Sequence, residues 1–202
     1  MQLVGMLDSP YVRRVAISLR LLDLPFEHKP VSVFSTFAEF HAINPVVKAP
    51  TLVCDNGVVL MESGLILDYA ETLAGRSLMP ADPGRRQHAL RVTGLALAAC
   101  EKTVQIVYER NLRPAEKQHE PWIRRVQGQL LAAYSALEAE LAGAALPVDE
   151  RLLTQADVTT AVAWSFTRMM LPESVDARAY PALASFSAAA ERLAAFKDTP
   201  QT

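Results

Sequence analysis

Residues 2–16, QLVGMLDSPYVRRVA, decide the fold, because an apolar run passes directly into a helical pattern. The run from Gln2 to Leu7 predicts a buried strand. Ser9 suits the N-cap of a helix, and Pro10 suits its first residue. The helix that follows shows one apolar face at helical spacing, formed by Val12, Val15, Ala16 and Leu19. This stretch therefore predicts a strand joined at once to a helix, with a serine at the junction.

The next segments predict a small mixed sheet covered by helices. Residues 26–33 suit a second strand, where Pro30 indicates a strand end or an edge position. A short helix is expected over 36–43, and β-branched runs on either side of Asp55-Asn56-Gly57 predict a hairpin. Another helix follows Glu62 and Ser63, with an apolar face of Ile66, Tyr69, Ala70 and Leu73. The order β-α-β-α-β-β-α makes the first two strands parallel and the last two antiparallel.

A break rich in proline and glycine, GRSLMPADPG at 75–84, marks a domain boundary. The predicted division is an α/β domain at 1–78, a linker at 79–84 and an all-α domain at 85–202. Four stretches of the second part have helical patterns: 85–110, 121–141, 154–170 and 180–196. The second domain is therefore expected to be a helical bundle.

Composition narrows the class of protein. The 202 residues include 20 basic and 22 acidic side chains, a balance that does not suggest a nucleic-acid binder. No stretch has the length of uncharged apolar sequence that spans a membrane, and no leader peptide is predicted. The two cysteines, Cys54 and Cys100, form no CxxC pair, so the expected setting is the reducing cytoplasm.

Ser9 is the first candidate for chemistry. A hydroxyl at the start of a helix lies beside free backbone N–H groups at the positive end of the helix dipole, where an anion is stabilised. A thiol has a reference pKa of about 8.5, and lowering it by one unit requires about 1.4 kcal/mol. A hydroxyl hydrogen bond and the helix terminus together supply roughly 2–3 kcal/mol. The residues alone leave open whether Ser9 binds a thiolate or only caps its helix.

Two further segments are candidates for ligand binding. Ser63 is placed to cap the helix after the hairpin, and its N–H and hydroxyl suit a carboxylate, while Glu62 suits an ammonium group. Together they fit an α-amino acid head, although a capped helix with a surface glutamate explains them equally. Pro50, directly before a strand, is a candidate for a cis peptide bond that exposes the backbone of Ala49 to a peptide-like ligand.

Four segments in order resemble the glutathione transferase family. SPYVRRV at 9–15 is similar to the catalytic segment of serine-type bacterial members. Asn44-Pro45 with KAPTL at 48–52 resembles the segment whose proline is cis. Glu62-Ser63 with Ile66 and Tyr69 resembles the segment that binds the γ-glutamyl group. Thr154 to Asp157 resembles the capping box of the core helix in the helical domain, which also has a local physical reason. The likeness extends over essentially the whole chain and implies a thioredoxin-like fold for the α/β domain at 1–78, followed by the all-α domain.

This resemblance implies roles for individual residues. Ser9 would hydrogen-bond the glutathione thiolate, and Ala49 would pair its backbone with the cysteinyl part. Glu62 and Ser63 would hold the γ-glutamyl amino and carboxylate groups, and Lys48 would contact the glycyl carboxylate. The implied reaction is attack of the thiolate on a small hydrophobic electrophile, in a homodimer. The electrophile pocket would lie between the domains, lined by Tyr11, Tyr108, Arg113 and Trp164, for which ordinary helix packing is the alternative.

The sequence disfavours one other function and leaves further ones open. A glutathione-dependent disulfide reductase needs a cysteine where this chain has Ser9, which disfavours that chemistry. Peroxidase or isomerase activity would use the same bound thiolate, and a non-catalytic binding protein would share the fold. No metal site is predicted, because the histidines lack ligand spacing and are expected on solvated surfaces: His28, His41, His88 and His119.

Overall fold

A computed structural model of the chain describes residues 1–143, 147 and 149–201. These residues form two compact units. The first contains Met1–Leu78, Asp149–Leu152 and Arg192–Thr202, and the second contains Met79–Val148 and Leu153–Glu191. The segment from Arg192 onward thus belongs to the first unit, although the sequence analysis assigned it to the helical domain. The predicted linker and domain ranges otherwise stay a prediction.

The first unit has the predicted order of elements. They are β1 (Gln2–Val4), α1 (Pro10–Leu21), β2 (Glu27–Lys29), α2 (Phe37–Ile43), β3 (Thr51–Val53), β4 (Val59–Met61) and α3 (Ser63–Ala74). The strands are shorter than the apolar runs that predicted them, because the backbone leaves the sheet at Gly5 and before Pro30. The β-α-β-α-β-β-α order is therefore confirmed.

The four strands form one sheet in the order β2-β1-β3-β4. Strand β1 pairs in parallel with β2, placing Leu3 opposite His28. On its other side β1 pairs antiparallel with β3, placing Leu3 opposite Leu52, and β3 pairs antiparallel with β4. The parallel first pair and the antiparallel hairpin are as predicted, and β2 is an edge strand, as its proline indicated.

Gly5 sets the distance between β1 and α1. Its φ of +139° is a conformation that other residues rarely adopt. A Cβ atom at this position would lie 2.6 Å from Cγ2 of Val12, so only glycine allows this close approach. The imidazole of His28 lies 2.8 Å from the Gly5 carbonyl oxygen, so this histidine is part-buried rather than solvated as expected. These contacts fix the end of β1 beneath the start of α1.

The second unit is helical, as predicted. Its helices are α4 (Pro83–Leu112), α5 (Glu120–Leu141), α6 (Gln155–Met170) and α7 (Pro181–Ala190). Helix α4 packs against α5 and α6, and α7 packs against α6 and α5. Helix α6 begins with the predicted capping box: Thr154 accepts from the Asp157 N–H, and the Asp157 carboxylate accepts from the Thr154 N–H at 2.8 Å.

Two apolar residues of the predicted helix faces lie in solvent. Leu73 is 48% exposed, while Leu67 is buried on α3 in its place. Trp122, in the first turn of α5, begins the helical spacing of the 121–141 pattern and is 42% exposed. The apolar residues that follow it at that spacing are buried: Val126, Leu130, Tyr134, Leu137 and Leu141. Leu73 and Trp122 both lie near helix ends, where a regular period overestimates the length of the packed face.

The last segment of the first unit carries a short helix, α8 (Ala194–Lys197), which packs against α1. Glu150 caps α8, since its carboxylate accepts hydrogen bonds from the N–H groups of Ala194 and Ala195. Phe196 is 1% exposed and Thr199 is 2% exposed. The segment therefore packs into the interior of the first unit through these side chains.

No helix among the described residues combines the length and the apolar character that crossing a membrane requires.

Candidate active site

Ser9 lies at the N-cap position of α1, with φ −69° and ψ 124°. Its carbonyl oxygen accepts the first helical hydrogen bond, from the Arg13 N–H at 3.0 Å. Its side chain makes no cap hydrogen bond, and Pro10 follows as the first helical residue. The half-buried hydroxyl thus stands at the positive end of the helix dipole without serving as the cap. This differs from the simple capping interpretation, in which the hydroxyl would satisfy an N–H of the first turn.

Asp8 places a carboxyl group directly before Ser9. The residue as a whole is exposed, yet its carboxyl is partly screened from water, and this burial raises the pKa of Asp8 above its usual value. Hydrogen bonding to the backbone N–H of Ser9 acts in the opposite direction. An ionised Asp8 would oppose a second anion at Ser9, because two like charges nearby disfavour each other.

Asn44 organises the loop that carries Lys48 and Ala49. Its buried side-chain amide donates to Thr51 Oγ1 at 2.8 Å, and the Thr51 hydroxyl donates to the Lys48 carbonyl at 2.7 Å. The Ala49–Pro50 peptide bond is cis, as the segment suggested. Lys48 is exposed and Ala49 is half-buried. In the sequence Asn44 is recognisable only as part of a motif, and its role in holding this loop is visible only in the structure.

Glu62, and not Ser63, caps α3. Its carboxylate accepts from the N–H groups of Gly64 at 3.0 Å and Leu65 at 3.2 Å. Glu62 has a φ of +73°, which is uncommon for a residue other than glycine. The sequence analysis assigned the cap to Ser63, which is instead the first residue of the helix. The error follows from the general preference for serine at N-caps, which this backbone turn overrides.

Ser63 is 2% exposed and faces a buried arginine. Arg14 of α1, itself 4% exposed, donates from Nη1 to Ser63 Oγ at 3.0 Å. Ser63 Oγ lies 3.5 Å from Glu62 Oε1. Sequence reasoning missed this link. The sequence does not show that Arg14 is buried, and only its burial makes a partner for its charge necessary.

The four residues proposed for the electrophile pocket have different surroundings. Tyr11 is half-buried on α1, and Tyr108 is 44% exposed on α4. Arg113 forms an ion pair with Glu109 at 2.7 Å. Trp164 is 5% exposed and packs edge-on against Tyr134, with ring centres 5.2 Å apart. Their role as pocket residues stays a prediction.

The described part of the chain contains no group of three or more histidine, cysteine, aspartate or glutamate side chains able to hold a metal ion. Cys54 and Cys100 are buried and form no disulfide. The candidate site thus consists of the Ser9 junction, the loop at Lys48 and Ala49, and the start of α3, all within the first unit.

Comparison with known proteins identifies the family. Residues 3–78 match the family described as glutathione S-transferase, N-terminal domain. A glutathione S-transferase from Methylobacterium radiotolerans, solved in complex with glutathione sulfonate, covers 98% of this chain and is itself covered to 93%. The two share a TM-score of 0.86 and 27% sequence identity. The chain belongs to the glutathione S-transferase family. This confirms the resemblance at the level of the family, while the serine-type subclass stays a prediction.

Two other members of the family are also similar to this chain. Glutathione S-transferase U6 of Arabidopsis thaliana is 32% identical over 143 residues, which are 70% of this chain and 60% of that protein. The transferase chain thus spans about three fifths of that relative. The holo structure of maleyl pyruvate isomerase, a bacterial zeta-class glutathione S-transferase, is 26% identical with a TM-score of 0.76, and the match covers 100% of this chain and 97% of that one.

Proposed function

We propose that this glutathione transferase binds glutathione as its co-substrate and uses Ser9 to hold the thiol as a thiolate. The observation that carries the proposal is the Ser9 hydroxyl at the start of α1, which makes no cap hydrogen bond. A ligand sulfur placed there accepts a hydrogen bond from the hydroxyl and lies at the positive end of the helix dipole. Together these interactions are worth roughly 2–3 kcal/mol, enough to lower a thiol pKa by about two units.

The remaining site residues would hold the peptide part of glutathione. Glu62 and Ser63, at the start of α3, present a carboxylate and a hydroxyl that suit the amino and carboxylate groups of the γ-glutamyl residue. The half-buried backbone of Ala49 suits the cysteinyl part, and the exposed Lys48 suits the glycyl carboxylate. These contacts would place the sulfur at Ser9, so binding energy from the whole peptide positions the reacting atom.

The reaction is a nucleophilic attack on carbon. The thiolate sulfur supplies an electron pair to an electrophilic carbon of a small hydrophobic molecule, and a carbon–sulfur bond forms. In a substitution the leaving group departs with its bonding pair, and in an addition the resulting carbanion takes a proton from solvent. The thiol proton has already gone to solvent when the thiolate forms. We further propose a homodimer in the cytoplasm, with Tyr11, Tyr108, Arg113 and Trp164 near the electrophile.

A second function uses the same thiolate. The similarity to a zeta-class maleyl pyruvate isomerase favours reversible addition of the thiolate to an activated double bond, followed by its elimination from the rotated adduct. Such a reaction consumes no glutathione, whereas conjugation consumes one molecule in each turnover. Peroxidase activity and a non-catalytic binding role are further alternatives that start from the same bound glutathione.

The test is an ultraviolet titration of enzyme-bound glutathione, because the thiolate absorbs and the thiol does not. The wild type should show a thiol pKa about two units below the free value of about 8.5. In Ser9→Ala the thiol pKa should rise most of the way back to the free value. Ser174→Ala, which removes a hydroxyl of the second unit, is the matched control and should titrate like the wild type. An unshifted thiol in the wild type would exclude the catalytic role of Ser9.

A further variant separates thiolate stabilisation from disulfide exchange. Ser9→Cys places a thiol where a disulfide reductase needs one, so it should gain activity toward a small mixed disulfide and lose conjugation. A screen of electrophiles, activated alkenes and peroxides with the wild type then distinguishes the proposed reactions by whether glutathione is consumed, returned or oxidised.

A further inference from the structure

We infer that Arg14 is a positioning residue for the carboxylate site: it fixes the Ser63 hydroxyl as a donor toward a ligand carboxylate. The inference rests on the proposed function, because it concerns how the start of α3 would recognise the γ-glutamyl group. It adds a residue that makes no direct contact with the ligand and acts through Ser63.

The geometry is that of an interior hydrogen bond between two helices. Arg14 lies on α1 and Ser63 begins α3, and the two side chains meet at 3.0 Å between Nη1 and Oγ. Arg14 is 4% exposed and Ser63 is 2% exposed, so water competes little for this bond. A hydrogen bond from a charged donor in such surroundings is stronger than one at the surface.

The chemistry of the two groups fixes the direction of the bond. A guanidinium has hydrogen-bond donors and no acceptor, so Ser63 Oγ must be the acceptor of the bond with Arg14. The Ser63 proton therefore points elsewhere. Glu62 Oε1, at 3.5 Å, is at the outer limit of a hydrogen bond, while Glu62 Oε2 is engaged by the N–H groups of α3. A ligand oxygen at ordinary hydrogen-bond distance would take the Ser63 proton in preference.

The consequence is a preference for one kind of ligand group. A hydroxyl held as a donor, at the positive end of α3, suits a carboxylate oxygen and rejects an ammonium group. A neutral carboxamide at the same place gains less, because it carries no charge for the helix terminus to stabilise. Arg14 should therefore govern discrimination between carboxylate and carboxamide. The pKa of the bound thiol, which the Ser9 end of α1 sets, is a separate property.

The experiment measures discrimination by calorimetry, with glutathione and with its analogue whose γ-glutamyl α-carboxylate is a carboxamide. Arg14→Met should weaken glutathione binding by about tenfold while changing the affinity for the carboxamide analogue less than about twofold. Arg14→Lys, which keeps a charged donor, should recover part of the preference. In the background of Ser63→Ala, Arg14→Met should have little further effect, because the hydroxyl through which Arg14 acts is gone.

Each outcome decides a separate point. Equal losses for both ligands, or full additivity of Arg14→Met and Ser63→Ala, would show a general packing role and overturn the inference. If Arg14→Met does not fold, as judged by circular dichroism, Arg14→Lys carries the test: an unchanged ratio of the two affinities overturns the inference. The thiol titration at saturating glutathione tests Ser9 separately. A lowered thiol pKa in the wild type, together with no loss of discrimination in Arg14→Met, refutes the role of Arg14 and leaves that of Ser9. A wild type that binds neither ligand refutes the proposed function.

Discussion

The guanidinium of Arg13 lies 5.7 Å from the centre of the Phe196 ring, an arrangement that joins α1 to a residue near the other end of the sequence. Arg13 is 1% exposed and its Nε also donates to the Thr199 carbonyl at 2.9 Å. A longer ion pair of 3.7 Å connects Arg20 with Asp198 at the surface. Residues 196–199 therefore contact α1, the helix that has Ser9 at its N-cap.

Phe196→Ala should destabilise the first unit. Loss of a fully buried aromatic side chain typically costs about 3–5 kcal/mol, and here it also removes the ring beneath Arg13. Urea denaturation followed by near-ultraviolet circular dichroism would measure the change. Phe196→Leu, which keeps most of the apolar volume, is the control and should lose less. Equal stability of Phe196→Ala and the wild type would contradict this packing role.

Asp8→Asn should stabilise the protein at neutral pH. Burial raises the pKa of Asp8 in the folded state, so the stability cost of the ionised carboxylate grows as the pH rises above the unfolded-state value and is complete once the pH exceeds the raised value. Below the unfolded-state value of 3.8 both states bind the proton, and the cost disappears. Thermal midpoints measured from pH 7 downward should therefore show a gain that shrinks as the pH falls. Asp68→Asn, an exposed acid of α3, controls for net charge.

The same Asp8→Asn variant should lower the pKa of the bound glutathione thiol further. Removing a negative charge beside Ser9 removes a repulsion that opposes the thiolate. The shift should be largest at low ionic strength, because salt screens the charge of an exposed carboxylate. A thiol pKa that rises in Asp8→Asn would show that Asp8 assists the thiolate through another route.

Glu62 caps α3 and is proposed to bind the ligand ammonium, and two substitutions distinguish these roles. Glu62→Ala removes the cap of α3 and should cost about 1 kcal/mol of stability. It should also weaken glutathione binding by about tenfold, because the charge offered to the ligand ammonium is lost. Glu62→Gln keeps an oxygen that can accept from Gly64 and Leu65, so its stability should stay near that of the wild type while binding still weakens. Unchanged affinity in both variants would contradict the assigned binding role.

The capping box of α6 should be worth a measurable part of the stability of the second unit. Thr154→Ala and Asp157→Ala should each cost about 1 kcal/mol, because each leaves a backbone N–H without its side-chain acceptor. The two costs should not add, since the side chains also contact each other at 2.7 Å. Thr154→Ser keeps the hydroxyl and should retain most of the stability. Chemical denaturation monitored by tryptophan fluorescence reports on this helix when every variant also carries Trp122→Phe, because Trp164 is then the remaining tryptophan of the sequence.

Local patterns predicted most of the elements, and long-range contacts account for what they missed. The strand, serine and proline at 2–10 could be recognised in the sequence, because they depend on residues adjacent along the chain. The hairpin around Gly57 could be recognised for the same reason. The hydrogen bond between Arg14 and Ser63 joins two helices that are distant in sequence, and no spacing of residues along the chain predicts it. Sequence analysis therefore noted Arg14 only within a motif.

The start of α3 shows a second kind of limit. Serine is a common N-cap, so Ser63 was the natural choice, but a positive φ at Glu62 moves the cap one residue earlier. Propensities describe the average residue and do not include an unusual backbone turn. In the same way, the grouping of 192–201 with the first unit follows from burial of Phe196, which a boundary drawn from prolines and glycines could not include.

The packing of Phe196 and Thr199 on α1 also has a consequence for biosynthesis. The ribosome synthesises α1 long before Phe196 and Thr199. Nascent α1 therefore lacks these two packing partners during most of translation. Helices α4 to α7 leave the exit tunnel in the meantime and can pack with one another first. The first unit, although its sheet is synthesised before the helices of the second unit, is therefore completed after them.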